Sequence, residues 1–200
     1  MRRIVLAAVL AAPFLASAAN LVANGSFEDT VQGAGSWNIY SNLTGWTGGS
    51  AGIELRNAVA GAAFDGVNFV ELDTTQNSLM FQNIATNLGQ GYKLSFAYAP
   101  RTNVSSASNG IEVFWNGATQ GVFTGNGFGG GDVWSVQTMT LTGAALASKL
   151  EFRAVGDSDS YGGSLDAVSL TSAVPEPGTY ALMLGGLGAL AFVARRRRVF

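Results

Sequence analysis

Hydrophobic side chains return at every second position through the middle of this chain. A two-residue period commits a segment to half-buried β-strand. Tyr92, Leu94, Phe96 and Tyr98 fall on one side of such a segment, with Lys93, Ser95 and Ala97 on the other. Leu150, Phe152 and Ala154 alternate in the same way with Glu151 and Arg153. Residues 67–72, 78–84, 111–115, 133–141 and 165–170 read as further strands. Gly, Asn, Ser and Asp gather between them, as over residues 103–110 and 125–132, where turns are expected. Outside the termini no long stretch repeats with a helical period, although residues 144–150 have room for one helical turn. The 27 glycines and 48% hydrophobic content are too glycine-rich for a helical bundle and too apolar for disorder. The expectation is a single all-β sandwich domain over residues 20–172, without internal repeats.

The two ends follow different rules. Met1-Arg2-Arg3 precedes an apolar run from Ile4 to Leu15 and the small residues Ala16-Ser17-Ala18-Ala19. That order of parts predicts a signal peptide over residues 1–19, cleaved after Ala18 or Ala19. At the other end Val174-Pro175-Glu176-Pro177 closes a short linker over residues 173–177. The 17 residues Gly178 to Ala194 then carry no charge, and Arg195, Arg196, Arg197 and Arg198 follow. Seventeen apolar residues reach the lower limit for a membrane-spanning helix. The arginines place residues 195–200 on the cytoplasmic side.

With those ends removed, residues 19–173 hold five basic and twelve acidic side chains, a balance of −7. An acidic domain with no basic cluster argues against nucleic acid as a partner. The chain has no Cys and no His. This excludes disulfide scaffolds, thiol chemistry, zinc sites with the usual ligands and any His-dependent triad. Gly48-Gly49-Ser50-Ala51-Gly52 has the spacing of a hydrolase nucleophile elbow, but no base and no following helix accompany it. Gly125, Gly127 and Gly130 match a dinucleotide spacing without the helix that would hold the phosphate. Asp157-Ser158-Asp159-Ser160-Tyr161-Gly162 starts like an EF-hand loop, yet Val168 stands where the bidentate glutamate belongs. It reads as a turn stabilised by Asp side chains. Glu71 and Asp73 share a strand face as a glycosidase pair would, although such pairs are common on solvated strands. No catalytic residue is assigned.

Pro175-Glu176-Pro177, the apolar segment and Arg195 to Arg198 together resemble the PEP-CTERM sorting signal. That resemblance implies processing by an exosortase-type enzyme in a Gram-negative bacterium that makes exopolysaccharide. It also implies export across the inner membrane and at least transient anchoring by the C-terminal helix. The destination is then the cell surface or extracellular matrix. A second resemblance begins at Asn20. Asn20-Leu21-Val22-Ala23-Asn24-Gly25-Ser26-Phe27-Glu28, Gly45-Trp46, residues 65–72 and Leu165-Asp166-Ala167-Val168-Ser169-Leu170 are similar to the galactose-binding-like jelly rolls found in many carbohydrate-binding modules. It implies a jelly-roll β-sandwich with a structural calcium tying the first strand to the last. On this pattern Glu28 and Asp166 supply carboxylates, and main-chain oxygens around Ser26, Asp65 and Asn68 complete a shell of about six to eight oxygens.

Sugar binding is the activity such a domain favours, because sugars stack apolar C–H faces on aromatic rings and offer hydroxyls to polar side chains. Trp37, Tyr40 and Trp46 lie in an Asn/Ser/Gly-rich segment, and Arg101 follows Tyr98-Ala99-Pro100. These four are the candidate ligand residues, whereas Trp115 and Trp134 at strand positions are expected in the core. The sequence therefore points to an exported, non-catalytic surface or matrix protein that binds polysaccharide. The alternatives are a structural matrix component without a ligand and a glycoside hydrolase.

Overall fold

The computed structural model describes residues 18–130, 133–173 and 184–189. Ala19–Ala173 forms one compact unit, and Met1–Ala18 and Val174–Phe200 fall outside it. Nearly all of the expected signal peptide, the Pro175-Glu176-Pro177 motif, most of the expected membrane helix and the Arg195 to Arg198 run lie outside the described residues. Residues 184–189 are helical and exposed. Among the described residues, no helix is long and apolar enough to cross a membrane.

The unit is a sandwich of two six-stranded antiparallel sheets. In chain order its strands are β1 (Ser36–Tyr40), β2 (Asn42–Leu43), β3 (Trp46–Gly48), β4 (Ile53–Asn57), β5 (Asn68–Glu71) and β6 (Leu79–Ala85). They continue with β7 (Gly91–Ala99), β8 (Gly110–Trp115), β9 (Ala118–Phe123), β10 (Ser135–Thr142), β11 (Ala147–Val155) and β12 (Ser164–Ser172). One sheet runs β1-β4-β5-β12-β7-β10 and the other β2-β3-β6-β11-β8-β9.

The core lies between the inner faces, as the alternation dictates. Tyr92, Leu94, Phe96 and Tyr98 of β7 are all buried there. They meet Phe152 across the layer, with the Phe96 and Phe152 rings 5.3 Å apart. Strand β12 changes parity midway, because Leu165 is buried inward and so are Val168 and Leu170. A bulge between Asp166 and Ser169 absorbs the extra residue; Ala167 sits there at φ 48°, and such an insertion resets which side chains face in. Gly25 packs against this bulge so closely that a Cβ would stand 2.0 Å from the Val168 carbonyl oxygen. Asn20 ties the entering chain to the same strand. Its Oδ1 accepts the Leu170 N–H at 2.9 Å, and Leu21 N–H donates to Leu170 O at 2.8 Å.

Three expectations need correction. Residues 144–150 form no helical turn, since β11 begins at Ala147. Strands β1 to β4 and β9 escaped the alternation test. All five residues of β4 are buried, so its polar positions do not mark a solvated face, and Gly121 interrupts β9. Trp134 is not in the core. It lies half-buried against the outer face of the first sheet, donating Nε1–H to Ala62 O at 2.9 Å and stacking edge-on against Phe69 at 5.8 Å and Phe64 at 6.1 Å. Through Trp134 the segment 58–67 thus covers part of that outer face around Phe69.

Candidate functional site

Cross-strand partners in an antiparallel sheet project to the same side. Trp37 of β1 pairs with Arg56 of β4, and Glu54 of β4 pairs with Glu71 of β5. These four side chains therefore share the outer face of the first sheet. Arg56 is the hub: its Nε–H donates to Glu54 Oε1 at 2.6 Å, and its Nη2 pairs with Glu71 Oε2. Arg56 is 2% exposed, and among the described residues its Nη1 has no hydrogen-bond partner. Buried donors are nearly always satisfied, so this nitrogen stands out within the cluster.

Two loops complete the site. The β7–β8 loop brings Arg101, whose Nη1 reaches Glu71 Oε2 at 3.1 Å. That loop is held by buried Asn109, whose Oδ1 accepts the Arg101 N–H at 2.9 Å. Asn109 Nδ2 lies 3.0–3.2 Å from the carbonyls of Val104, Ser105 and Gly125. Gly127 supports the same backbone, where a Cβ would fall 1.8 Å from Arg101 O. The β11–β12 loop brings Tyr161, with the Arg101 guanidinium carbon 4.5 Å from its ring centre. Asp73 positions this loop, its Oδ2 accepting N–H bonds from Asp159, Ser160 and Tyr161. The result is a cleft of about 230 Å³ lined by Trp37, Glu54, Arg56, Arg101, Ser160 and Tyr161 together with Val59 and Thr74. A second hollow of about 590 Å³ also uses Arg101 and Tyr161 and adds Asn103, Ser105 and Phe128. Trp37 is 51% exposed and Tyr161 50%. Two half-open rings flanking guanidinium and carboxylate groups suit a polar ligand with apolar faces.

Burial pushes the Glu71 carboxyl up to about 8, against the opposing pull of Arg56, Arg101 and the Gly162 N–H. Asp166 is pushed up to about 7, first by burial and then by neighbouring Asp65. A carboxyl raised in the folded state binds more protons there than in the unfolded chain. Stability from such groups is present at low pH and is lost as pH rises toward the folded-state value. Glu151 is held below its ordinary value by Lys149 and Arg153 despite its burial, and so loses its contribution only in more acidic solution. In chelator, the thermal midpoint is therefore expected to be several degrees higher at pH 5.5 than at pH 8.5. Melting followed by circular dichroism checks this.

The four candidate ligand residues separate. Trp37 and Arg101 line the same cleft. Trp46 is 2% exposed, a core residue rather than a loop platform, between Phe27 at 5.9 Å and Phe152 at 6.1 Å; its Nε1–H is used on Asn24 O at 3.0 Å. Tyr40 leans on the core and donates its hydroxyl to Gln32 Oε1 at 3.0 Å, away from the cleft-lining set. The Glu71–Asp73 pair is no solvated strand face, because both are fully buried. Asp73 is engaged in holding the loop backbone. Glu54, Arg56, Glu71 and Tyr161 were not singled out as ligand residues. Their trace in the sequence is Ile53-Glu54-Leu55-Arg56, where opposite charges two residues apart share one strand face in a chain with only 12% charged residues.

The five candidate calcium residues gather around one loop. Glu28 Oε1 accepts N–H bonds from Val67 at 2.8 Å and Asn68 at 2.7 Å. Asp166 Oδ2 accepts from Phe64 at 2.8 Å and Asp65 at 2.9 Å. Asn68 Nδ2 donates to Phe27 O and Thr30 O, while its Oδ1 is buried without a partner among the described residues. Ser26, Asp65 and Ala167 line a cleft of about 430 Å³ with no basic residue in its wall. Among the described residues, no three His, Cys, Asp or Glu side chains cluster as metal ligands. Calcium accepts carbonyl and amide oxygens beside carboxylates; Ser26 and Asp65 line this cleft, whereas Glu28, Asn68 and Asp166 are not among its lining residues.

The chain is 34% identical over 158 residues to a multifunctional-autoprocessing repeats-in-toxin protein of Vibrio cholerae serotype O1. It is 32% identical over 154 residues to one from Vibrio vulnificus. These matches take in 78% and 76% of the chain and 3% of each toxin, so the chain spans a small segment of much longer proteins. Among solved structures, an arabinose-bound α-L-arabinofuranosidase, MgGH51, aligns with 80% of this chain and 28% of its own at 14% identity and a TM-score of 0.52. A family 35 carbohydrate binding module from Clostridium thermocellum aligns with 69% of this chain and 99% of its own at 16% identity and a TM-score of 0.47. A family 16 carbohydrate binding module aligns with 76% and 99% at 15% identity and a TM-score of 0.47. These likenesses concern the fold. Residues 173–198 match the PEP-CTERM protein-sorting motif, and the chain thus carries, behind a two-sheet β-sandwich, a PEP-CTERM sorting signal.

Proposed function

We propose that this is an exported, non-catalytic protein of the cell surface or extracellular matrix whose sandwich binds polysaccharide in the cleft between Trp37 and Tyr161. The observation that carries the reading is the pairing of two half-exposed rings with Arg56 and Arg101 in one cleft. Rings stack on sugar C–H faces, and the guanidinium groups bond hydroxyls in fixed directions. The carboxylates nearby are engaged by arginines and main-chain N–H groups, which supports binding over hydrolysis. On this reading, an exosortase-type enzyme processes the Pro175-Glu176-Pro177 region in a Gram-negative host. The apolar segment behind it anchors the chain in the inner membrane until processing. Saturable binding on an array of neutral and acidic glycans, abolished in Trp37→Ala, is the expected result; silence across the array favours a purely structural matrix component.

Calcium belongs to the same proposal, held near Asp166, Asn68 Oδ1, Asp65, Glu28 and the Ser26 main chain. When bound it supplies a cross-link between chain segments far apart in sequence. Asp166 and Glu28 already grip the 64–68 segment from two sides, so a cation there stiffens the loop that covers the outer sheet. A ligand at 100 times its dissociation constant stabilises the fold by about 2.7 kcal/mol. Chelator is expected to lower the melting midpoint by several degrees, with recovery on adding calcium but not magnesium, as differential scanning calorimetry will read.

A further inference from the structure

Resting on the sugar-binding reading of the Trp37–Tyr161 cleft, we propose that its ligand is an acidic polysaccharide, with a uronate carboxylate seated against Arg56.

The argument starts from the unmatched donor. Arg56 uses Nε on Glu54 and Nη2 on Glu71, and the remaining terminal nitrogen, Nη1, has no partner among the described residues although the side chain is 2% exposed. Arg56 lines the cleft. Leaving a charged buried donor unmet costs more than leaving a neutral one. The complement that meets it best is an anionic oxygen, since guanidinium–carboxylate bonds are shorter and roughly twice as strong as neutral ones. Arg101 adds a second guanidinium to the wall, fixed by Glu71 and by Ser160 O at 3.3 Å. The charge of the site points the same way. Burial raises the Glu71 carboxyl, which reduces the negative charge set against the two guanidinium groups. The domain as a whole is acidic, so attraction of a polyanion is confined to this cleft, and Trp37 at its edge supplies the stacking surface for the ring bearing the carboxylate.

The test uses the full chain purified in mild detergent. Trisaccharides of galacturonate, glucuronate and mannuronate are titrated calorimetrically beside their fully methyl-esterified forms. Esterification removes the charge but adds a methyl group, so the corresponding neutral hexose trisaccharides are titrated as well to separate charge from bulk. The expected result is that at least one acid binds roughly tenfold or more tightly than its ester. Arg56→Lys keeps a charge but loses the planar fork; it is expected to narrow that preference, and a retained cooperative melt shows that it has folded. Equal binding of acid and ester overturns the acidic inference while leaving sugar binding intact. Binding of neutral glycans alone does the same. Absence of binding by every glycan, charged or neutral, overturns both readings.

Discussion

Arg56→Met is expected to cost about 3–5 kcal/mol of folding stability, the range seen when one partner of a buried ion pair is removed. The substitution keeps much of the apolar stem, so lost packing is the smaller part. The larger part is electrostatic. Glu54 is 5% exposed and Glu71 not at all, and both lose the guanidinium that offsets their desolvation. Arg101 remains near Glu71 at 3.1 Å and partly compensates there, but Glu54 has no second basic neighbour within 4 Å among the described residues. Because the cost is that of stranded charge, it reverses when the charge goes too. Adding Glu54→Leu and Glu71→Leu to Arg56→Met is expected to recover most of the loss, since well-packed apolar replacements of buried ion pairs are often neutral or stabilising. Urea titration of the single and triple variants measures both. A single variant as stable as the wild type contradicts the assignment of this cluster as a buried network.

Trp46→Ala and Trp37→Ala are expected to part company. Trp46 fills the core between Phe27 and Phe152, and deleting a buried tryptophan costs about 3–5 kcal/mol through lost transfer energy and the cavity left behind. Trp37 is 51% exposed on the edge strand β1. Its removal is expected to change stability by about 0.5 kcal/mol or less and to abolish glycan binding. Thermal melts and the glycan array, applied to both variants, separate a core ring from a ligand platform. Similar melts for the two contradict the division.

The same two tryptophans show what the sequence makes legible. Period-two alternation identifies the strands whose polar side meets water, such as β7 and β11, and the turn clusters between them. It fails where a loop folds back over a sheet face. The β7–β8 and β11–β12 loops, with Val59, fold over the outer face of β4 and β5, so Glu54, Arg56 and Glu71 look in the sequence like ordinary solvated positions. The covering is non-local and leaves no periodic trace. Trp37 and Trp46 both sit in a stretch rich in Asn, Ser and Gly, and local composition does not separate them. What does is register: Trp37 pairs outward with Arg56, whereas Trp46 opens β3 facing the core. Arg101 was readable as a loop cation after Pro100, but Tyr161 was not, because its place depends on Asp73 gathering three N–H groups from a turn some 85 residues away. The bulge in β12 left a clearer mark. The inward parity of Leu165 disagrees with that of Val168 and Leu170, and only an inserted residue reconciles them.

The most direct measurement is a two-dimensional spectrum of protein labelled with ¹⁵N at the four tryptophan indoles, recorded as the oligosaccharide selected by the array is added. Trp46, Trp115 and Trp134 donate their indole N–H to Asn24 O, Thr142 O and Ala62 O, whereas Trp37 lines the cleft. The account predicts that the Trp37 indole resonance shifts saturably while those of Trp46 and Trp115 hold still. A saturable shift at Trp46 or Trp115 with Trp37 unmoved would contradict it.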